Sequence, residues 1–284
     1  MEKSKEKLEI LKKIGEYERK GMWDVDVNED PPSTELEPHQ IDYLRKKISS
    51  KVKARIASKM GEIFFEKMIK NNQMIIKEVK GIENFLAVEG GAIITSNHFN
   101  ANDNYAIHRS LIPYLKNKNK FYKVIREGNY TGFKGLFGFL FRNANTLPLS
   151  SNMETMKNFM RAIKELLERG EKILIYPEQA MWWNYRKPRP LKDGAFKLAV
   201  NNNAPIIPCF ITMEDSEFID PDGFNVQAYT INFLKPIYPN SELTKKENIE
   251  YMRNRNFQLW KECYESTYGI PLVYLIEESD EKEE

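Results

Sequence analysis

Ala92-Ile93-Ile94-Thr95-Ser96-Asn97-His98-Phe99-Asn100-Ala101-Asn102-Asp103 is the stretch on which the reading of this chain turns. Its apolar start reads as a short buried strand, Gly91 to Thr95. From Asn102 onward, Tyr105, Ile107, Leu111, Ile112 and Leu115 carry a mixed but helix-like spacing that ends near Lys116. On a regular helix, residues five apart lie about 140° from each other, so His98 and Asp103 would not face one another. They meet if His98 lies on the turn leaving the strand and Asp103 in the first turn of the next helix. A carboxylate so placed fixes one imidazole tautomer and stabilises the imidazolium, which makes a general base near neutral pH. The chain has three histidines, His39, His98 and His108, so candidates for such a base are few. The same residues also fit a plain helix cap, with Asn100 as N-cap, Asp103 as the capping-box acid and His98 a bystander. The two readings are compatible, because a cap would also hold Asp103 in place.

Outward from this stretch, strand and helix patterns alternate from Gly81: Ala92–Thr95, Asp103–Leu115, Lys120–Arg126, Met153–Arg169, Lys172–Tyr176, Gly194–Asn201 and Pro205–Thr212. Ala228–Leu234 reads as a late strand and Glu247–Glu265 as a closing helix. The alternation predicts an α/β fold, a largely parallel mixed sheet flanked by helices, over residues 81–284. Residues 1–80 read as a charged helical N-terminal extension. There Leu8, Ile10, Leu11 and Ile14 form a thin apolar stripe broken by Gly15, and Glu29-Asp30-Pro31-Pro32-Ser33 is a break. Helical segments are expected near His39–Ile48 and Lys51–Ile69, and the acidic end Glu277–Glu284 is expected to fray. No internal repeat is present.

At 284 residues the chain is long enough to bury a substantial core. A net charge of +2 is too balanced to point to nucleic acid as the main partner. Two cysteines, Cys209 and Cys263, make neither a disulfide framework nor a metal cluster, and reduced thiols suit the cytoplasm. The charged start lacks a signal-peptide core, and no apolar stretch approaches the roughly 20 residues that span a bilayer. Any membrane contact is therefore expected to be peripheral, at the inner face.

Asn97-His98, four residues and Asp103 resemble the first signature block of the lysophospholipid and glycerolipid acyltransferases. Further blocks follow in the family's order. Tyr176-Pro177-Glu178 after Ile173-Leu174-Ile175 resembles its Phe-Pro-Glu block, and Ala204-Pro205-Ile206-Ile207-Pro208-Cys209 its Val-Pro-Ile-Val-Pro-Val block. Between them, Lys192-Asp193-Gly194-Ala195-Phe196-Lys197-Leu198-Ala199 resembles a helix that these enzymes carry there. The resemblance covers about residues 80–240 and implies acyl transfer from a thioester to a lipid hydroxyl, as in phospholipid biosynthesis. It implies His98 as base, Asp103 as its orienting partner, and Asn97, Pro177, Glu178 and Gln179 at the substrate. It also implies a donor that is acyl-coenzyme A or acyl carrier protein, with no permanently bound cofactor and no metal.

The chain departs from the family twice. The Phe-Pro-Glu block usually continues Gly-Thr-Arg, but here reads Gln179-Ala180-Met181, and Asn145 to Ser150 lacks the Asp-Arg that ends the family's second block. Those arginines hold the phosphate of a glycerol phosphate acceptor, a two-point grip that serine or methionine cannot replace. The departures point away from lysophosphatidate and toward a sugar-bearing or other hydroxylated lipid. Arg186, Arg189 and Lys192 are then candidate substrate-binding cations, against the plainer reading of a solvated loop. Gly132 to Arg142, rich in phenylalanine and glycine, reads either as an acyl pocket or membrane-dipping segment, or as a helix buried under the sheet. Trp182-Trp183 either wall a pocket or anchor their loop. Two other functions stay open: a catalytically silent lipid-binding scaffold on the same fold, and a thioester hydrolase in which water replaces the acceptor.

Overall fold

The computed structural model describes residues 2–28, 32–115 and 120–276. The readings for Glu29–Pro31, for the helix end near Lys116, and for the acidic terminus from Glu277 lie outside the described residues. The elements run α1 (Lys5–Arg19), α2 (Ile48–Lys70), β1 (Ile75–Lys80), α3 (Ile82–Leu86), β2 (Ala92–Thr95) and α4 (Asp103–Leu111). They continue with β3 (Phe121–Ile125), α5 (Glu127–Thr131), α6 (Gly135–Asn143), β4 (Thr146–Pro148), α7 (Met153–Glu168) and β5 (Lys172–Ile175). The last are α8 (Gly194–Asn201), β6 (Ile206–Ile219), β7 (Asn225–Phe233) and α9 (Lys245–Tyr268).

Seven strands form one sheet in the order β1-β7-β6-β2-β5-β3-β4. β6, β2, β5, β3 and β4 run parallel, and β7 pairs antiparallel with β6 while β1 runs parallel to β7. The register aligns Thr95 with both Ile175 and Pro208, which brings the carboxyl ends of β2 and β5 level beside β6. The central strands are apolar without alternation because both faces are covered. Ile93, Ile173 and Ile206 point into the layer with α7, α8 and α9, whereas Ile94, Leu174 and Ile207 point into the layer with α3 and α4. Fully burying each such side chain is worth about 1.5–3 kcal/mol. Gly91 admits the close approach of α7, since a Cβ there would stand 2.1 Å from the Leu167 carbonyl oxygen.

The helical preface expected over residues 1–80 holds at α2, which covers the expected Lys51–Ile69, and needs correction at two other places. Ile75–Lys80 is a strand on the edge of the sheet, paired with β7. The helix expected near His39–Ile48 is only a short turn at Pro38–Gln40, and α2 begins at Ile48. The local chemistry explains this: the Asp42 carboxylate accepts from the amides of Lys46 and Lys47, and Arg45 sits at φ 52°, which breaks a helix there. β6 also runs on past Thr212 to Ile219, because it pairs with β7 in a long hairpin. α6 is not buried under the sheet. It packs on α2, where a Cβ on Gly61 would meet Leu140, and leaves Leu136 and Phe137 exposed.

Candidate active site

β2 ends at Thr95 and the chain turns across the carboxyl edge of the sheet. Asn97 fixes that turn: its side chain accepts from the Ile211 amide at 2.8 Å and donates to the Ile211 carbonyl at 3.0 Å. A side-chain amide thus takes the place of a backbone rung beyond the last β2–β6 pair. His98 and Asp103 meet as the turn geometry requires, with Nδ1 of the ring 2.8 Å from Oδ2 of the carboxylate. Asp103 is fully buried, and Oδ2 also accepts from the amides of Phe99 (3.1 Å) and Asn100 (3.2 Å). The N-cap of α4 is Asn102, not the expected Asn100, because the helix starts only at Asp103; the Asp103 carboxylate nevertheless holds the Asn100 amide and the His98 ring together. Its other oxygen accepts from the Tyr176 hydroxyl at 2.5 Å.

Tyr176 does more than occupy the position of the family's phenylalanine. Its ring stacks on the His98 ring, centroids 4.0 Å apart and planes at 19°. Burial, and after it the Asp103 charge, pushes its hydroxyl well above the usual range, so it stays a donor. With Nδ1 held against a carboxylate, the tautomer carries its proton there, and Nε2 is the nitrogen left for a substrate proton. The His98 side chain is 21% exposed, so the ring is reachable. The other two histidines lack this setting. His39 is exposed on the Pro38–Gln40 turn. His108 stacks on Phe121, and burial, with Lys123 nearby, pushes it down to about 3.

A second layer holds the backbone of the turn. Glu178 accepts from the His98 amide at 3.0 Å, from the Arg189 amide at 2.9 Å and from the Arg189 guanidinium at 2.8 Å. Glu178 and Arg189 side chains are 2% and 1% exposed. Arg189 further donates to the carbonyls of Trp23 and Ala180 and lies 4.7 Å over the Trp182 ring. Trp182 and Asn184 amides donate to the His98 and Phe99 carbonyls at 3.1 and 3.0 Å, so the loop after Glu178 is laced to the loop after β2. Trp182 is fully buried, with its indole N–H on the Val25 carbonyl, and anchors that loop.

The remaining candidates scatter around this centre. Pro177 is buried, and its carbonyl accepts from the Lys192 amide at 2.9 Å. Gln179 is exposed at φ 66°, where the family carries glycine; a non-glycine residue there costs about 1–3 kcal/mol. Arg186 donates to Asp215 at 2.7 Å and to Gln227, and Lys192 pairs with Asp24 at 2.8 Å. Ser150 holds the Leu36 carbonyl and the Glu127 carboxylate. Burial works against the Glu127 charge, but bonds from Leu36, Ser150 and Ser151 outweigh it and hold the carboxyl below its usual range. A carboxylate, not a guanidinium, thus stands beside Ser150. Sequence reasoning missed the Tyr176 hydroxyl, Asp24 as the partner of Lys192, and Arg126, which pairs with Asp26 and donates to the Gln179 carbonyl at 3.0 Å. Only the tyrosine left a signal, as a hydroxyl added to the family's phenylalanine.

Among the described residues no group of histidine, cysteine and acidic side chains is arranged to hold a metal ion. Residues 76–212 match the family model described as Acyltransferase. No curated protein matches the chain in sequence. Among the solved structures that match is the crystal structure of the 1-acyl-sn-glycerophosphate acyltransferase PlsC from Thermotoga maritima. It aligns with a TM-score of 0.50 at 16% identity, over 81% of this chain and 87% of that one, a likeness of fold. Residues 76–212, a little under half of the chain, thus carry the sequence pattern of an acyltransferase domain, and the protein is an enzyme that transfers acyl groups.

Proposed function

We propose that this enzyme moves a fatty acyl group from a thioester of coenzyme A or acyl carrier protein to the hydroxyl of a lipid or glycolipid acceptor. The observation that carries the reading is the His98–Asp103 contact at 2.8 Å, on a carboxylate already held by two amides and a tyrosine. Nε2 of His98 takes the acceptor's hydroxyl proton as the oxygen attacks the thioester carbonyl. The C–S bond of the resulting tetrahedral intermediate breaks, the thiolate leaves, and the imidazolium returns the proton to sulfur. A thioester is reactive enough to need no protein nucleophile, and Asp103 stabilises the imidazolium between the two steps. Glu178 and Arg189 act through the backbone of His98 and do not touch substrate in this reading. Incubation with acyl-labelled coenzyme A and candidate lipids tests it: labelled acyl lipid supports transfer. Label found only as free fatty acid would mean hydrolysis, and undisturbed thioester a silent scaffold.

We infer also that the protein meets its lipid at a membrane surface without crossing it. No described helix is long and apolar enough to span a bilayer. α2 instead leaves Ile48, Val52, Ile56, Met60 and Ile63 exposed at spacings of three and four, one stripe along its outer face. Phe137 of α6 joins it edge-to-face with Phe64 at 5.8 Å. Lys51, Arg55, Lys59, Lys67 and Lys134 border these apolar residues, a composition suited to an anionic interface. The inner end of α2 reaches the site's own helix, since Phe65 stacks on Tyr105 at 4.3 Å and Glu66 pairs with Arg109. Ile56→Asp combined with Phe137→Asp should weaken sedimentation with anionic vesicles at least tenfold, because two apolar side chains lose about 1.5–3 kcal/mol each. Salt should weaken wild-type binding as well. Unchanged sedimentation of the folded variant would remove this face from the interface.

A further inference from the structure

Residues Trp23 to Val27 cross the loop that follows Glu178. The Trp23 carbonyl accepts from Arg189 at 2.9 Å and the Val25 carbonyl from the Trp182 indole at 2.9 Å. Val27 is buried in a cluster with Ile10 and Ile14 of α1 and with Ala180 and Trp182. The backbone of this strap is therefore fixed by bonds that do not involve its acidic side chains. Those side chains go to cations. Asp24 accepts from the Lys192 ammonium at 2.8 Å, and that bond holds its carboxyl below the usual range. Asp26 takes the Arg126 guanidinium at two points, Nη2 to Oδ1 at 3.0 Å and Nη1 to Oδ2.

Both cations are bonded to the loop that follows Tyr176. Arg126 also donates to the Gln179 carbonyl at 3.0 Å, and the Lys192 amide is bonded to the Pro177 carbonyl at 2.9 Å. Tyr176, at the start of that loop, touches His98 and Asp103 on the turn after β2. A guanidinium gripped at two points by a carboxylate is in the geometry that it would use for a phosphate. A tethered carboxylate also competes at the high effective concentration of a group on the same chain.

We propose that Asp24 and Asp26 form an internal anion that occupies Arg126 and Lys192 beside the catalytic turn and so sets acceptor selectivity against a phosphomonoester headgroup. The proposal rests on the acyl-transfer reading and deepens it to a class of acceptor: a hydroxylated lipid that brings no phosphomonoester to these cations. A neutral headgroup leaves the two ion pairs in place, whereas a phosphate must first displace them.

The test compares the wild-type chain with Asp24→Asn/Asp26→Asn, using acyl-coenzyme A as donor. Lysophosphatidate and monoacylglycerol serve as acceptors that differ by one phosphate. The KM for lysophosphatidate should fall about 10- to 100-fold in the variant, the worth of a charge-assisted hydrogen bond. The KM for monoacylglycerol should hold, and adding Arg126→Gln should cancel the gain. Melting temperature verifies folding, and Asp26→Asn alone replaces the pair if the double variant unfolds. An unchanged ratio of the two acceptors in a folded variant overturns the proposal. So does a change confined to the KM of acyl-coenzyme A, which would give the cations to the donor's phosphates. Calorimetric titration with glycerol 3-phosphate separates this proposal from the reading beneath it. Binding gained by the variant supports the internal anion even if neither acceptor is acylated, and no gain overturns it.

Discussion

His98→Ala leaves a folded protein whose acyl transfer is lower by about 10²- to 10⁴-fold, the usual worth of a positioned general base. Folding survives because the ring contributes one bond to a well-anchored carboxylate. Asp103 keeps the Phe99 and Asn100 amides and the Tyr176 hydroxyl, and the ring was already partly exposed. No neighbouring histidine can take over, since His108 is half-buried, packed on Phe121 and held near 3. Asp103→Asn should also be severely impaired, through lost imidazolium stabilisation. That variant should lose stability too, because an amide cannot accept at both ends from four donors without turning an N–H toward one of them. The measurement is single-turnover transfer from labelled acyl-coenzyme A at a temperature where each variant is folded. Full turnover by folded His98→Ala would end the assignment of His98 as base.

Much of this centre was legible in the sequence because it is local. His98 and Asp103 are five residues apart, and only a strand-to-helix turn lets them meet, so finding the turn locates the pair. The fold was legible for a similar reason: apolar runs such as Ile173-Leu174-Ile175 are buried on both faces only in a covered parallel sheet. Where reading failed, the deciding partner was distant. Lys77 and Glu78 look like a charged preface, yet β1 is a strand because β7, some 150 residues later, offers an edge. The cations after Glu178 look free in sequence because their acids lie far away, Asp24 for Lys192 and Asp215 for Arg186. Charge pairing across such distances carries no spacing signal. α6 was ambiguous because its partner α2 is itself amphipathic, and an apolar segment packs as readily on a surface helix as beneath a sheet.

Arg189 shows how far burial changes an expectation. As a loop cation after the Pro-Glu block it reads as a contact to substrate, whose loss would raise a KM and spare the fold. In the structure its guanidinium is enclosed with the Glu178 carboxylate and three backbone carbonyls, those of Trp23, Ala180 and His98. Arg189→Met would leave that carboxylate buried with two amide donors and strip the carbonyls of a partner. Breaking one side of a buried pair costs about 3–5 kcal/mol. At roughly 2–4 °C per kcal/mol for chains of this order of size, melting should fall by about 10 °C. Glu178→Leu/Arg189→Met should be less destabilised than the sum of its single variants, since removing both charges leaves no orphan ion. Turnover should fall with either single change, because the His98 amide hangs on Glu178 and a shift of the turn displaces the base. Thermal melts of the two single variants and the double, read beside kcat and KM, decide between the two roles. If Arg189→Met melts like the wild type and raises only a KM, the arginine reaches substrate and the Glu178–Arg189 pair is not what holds the turn.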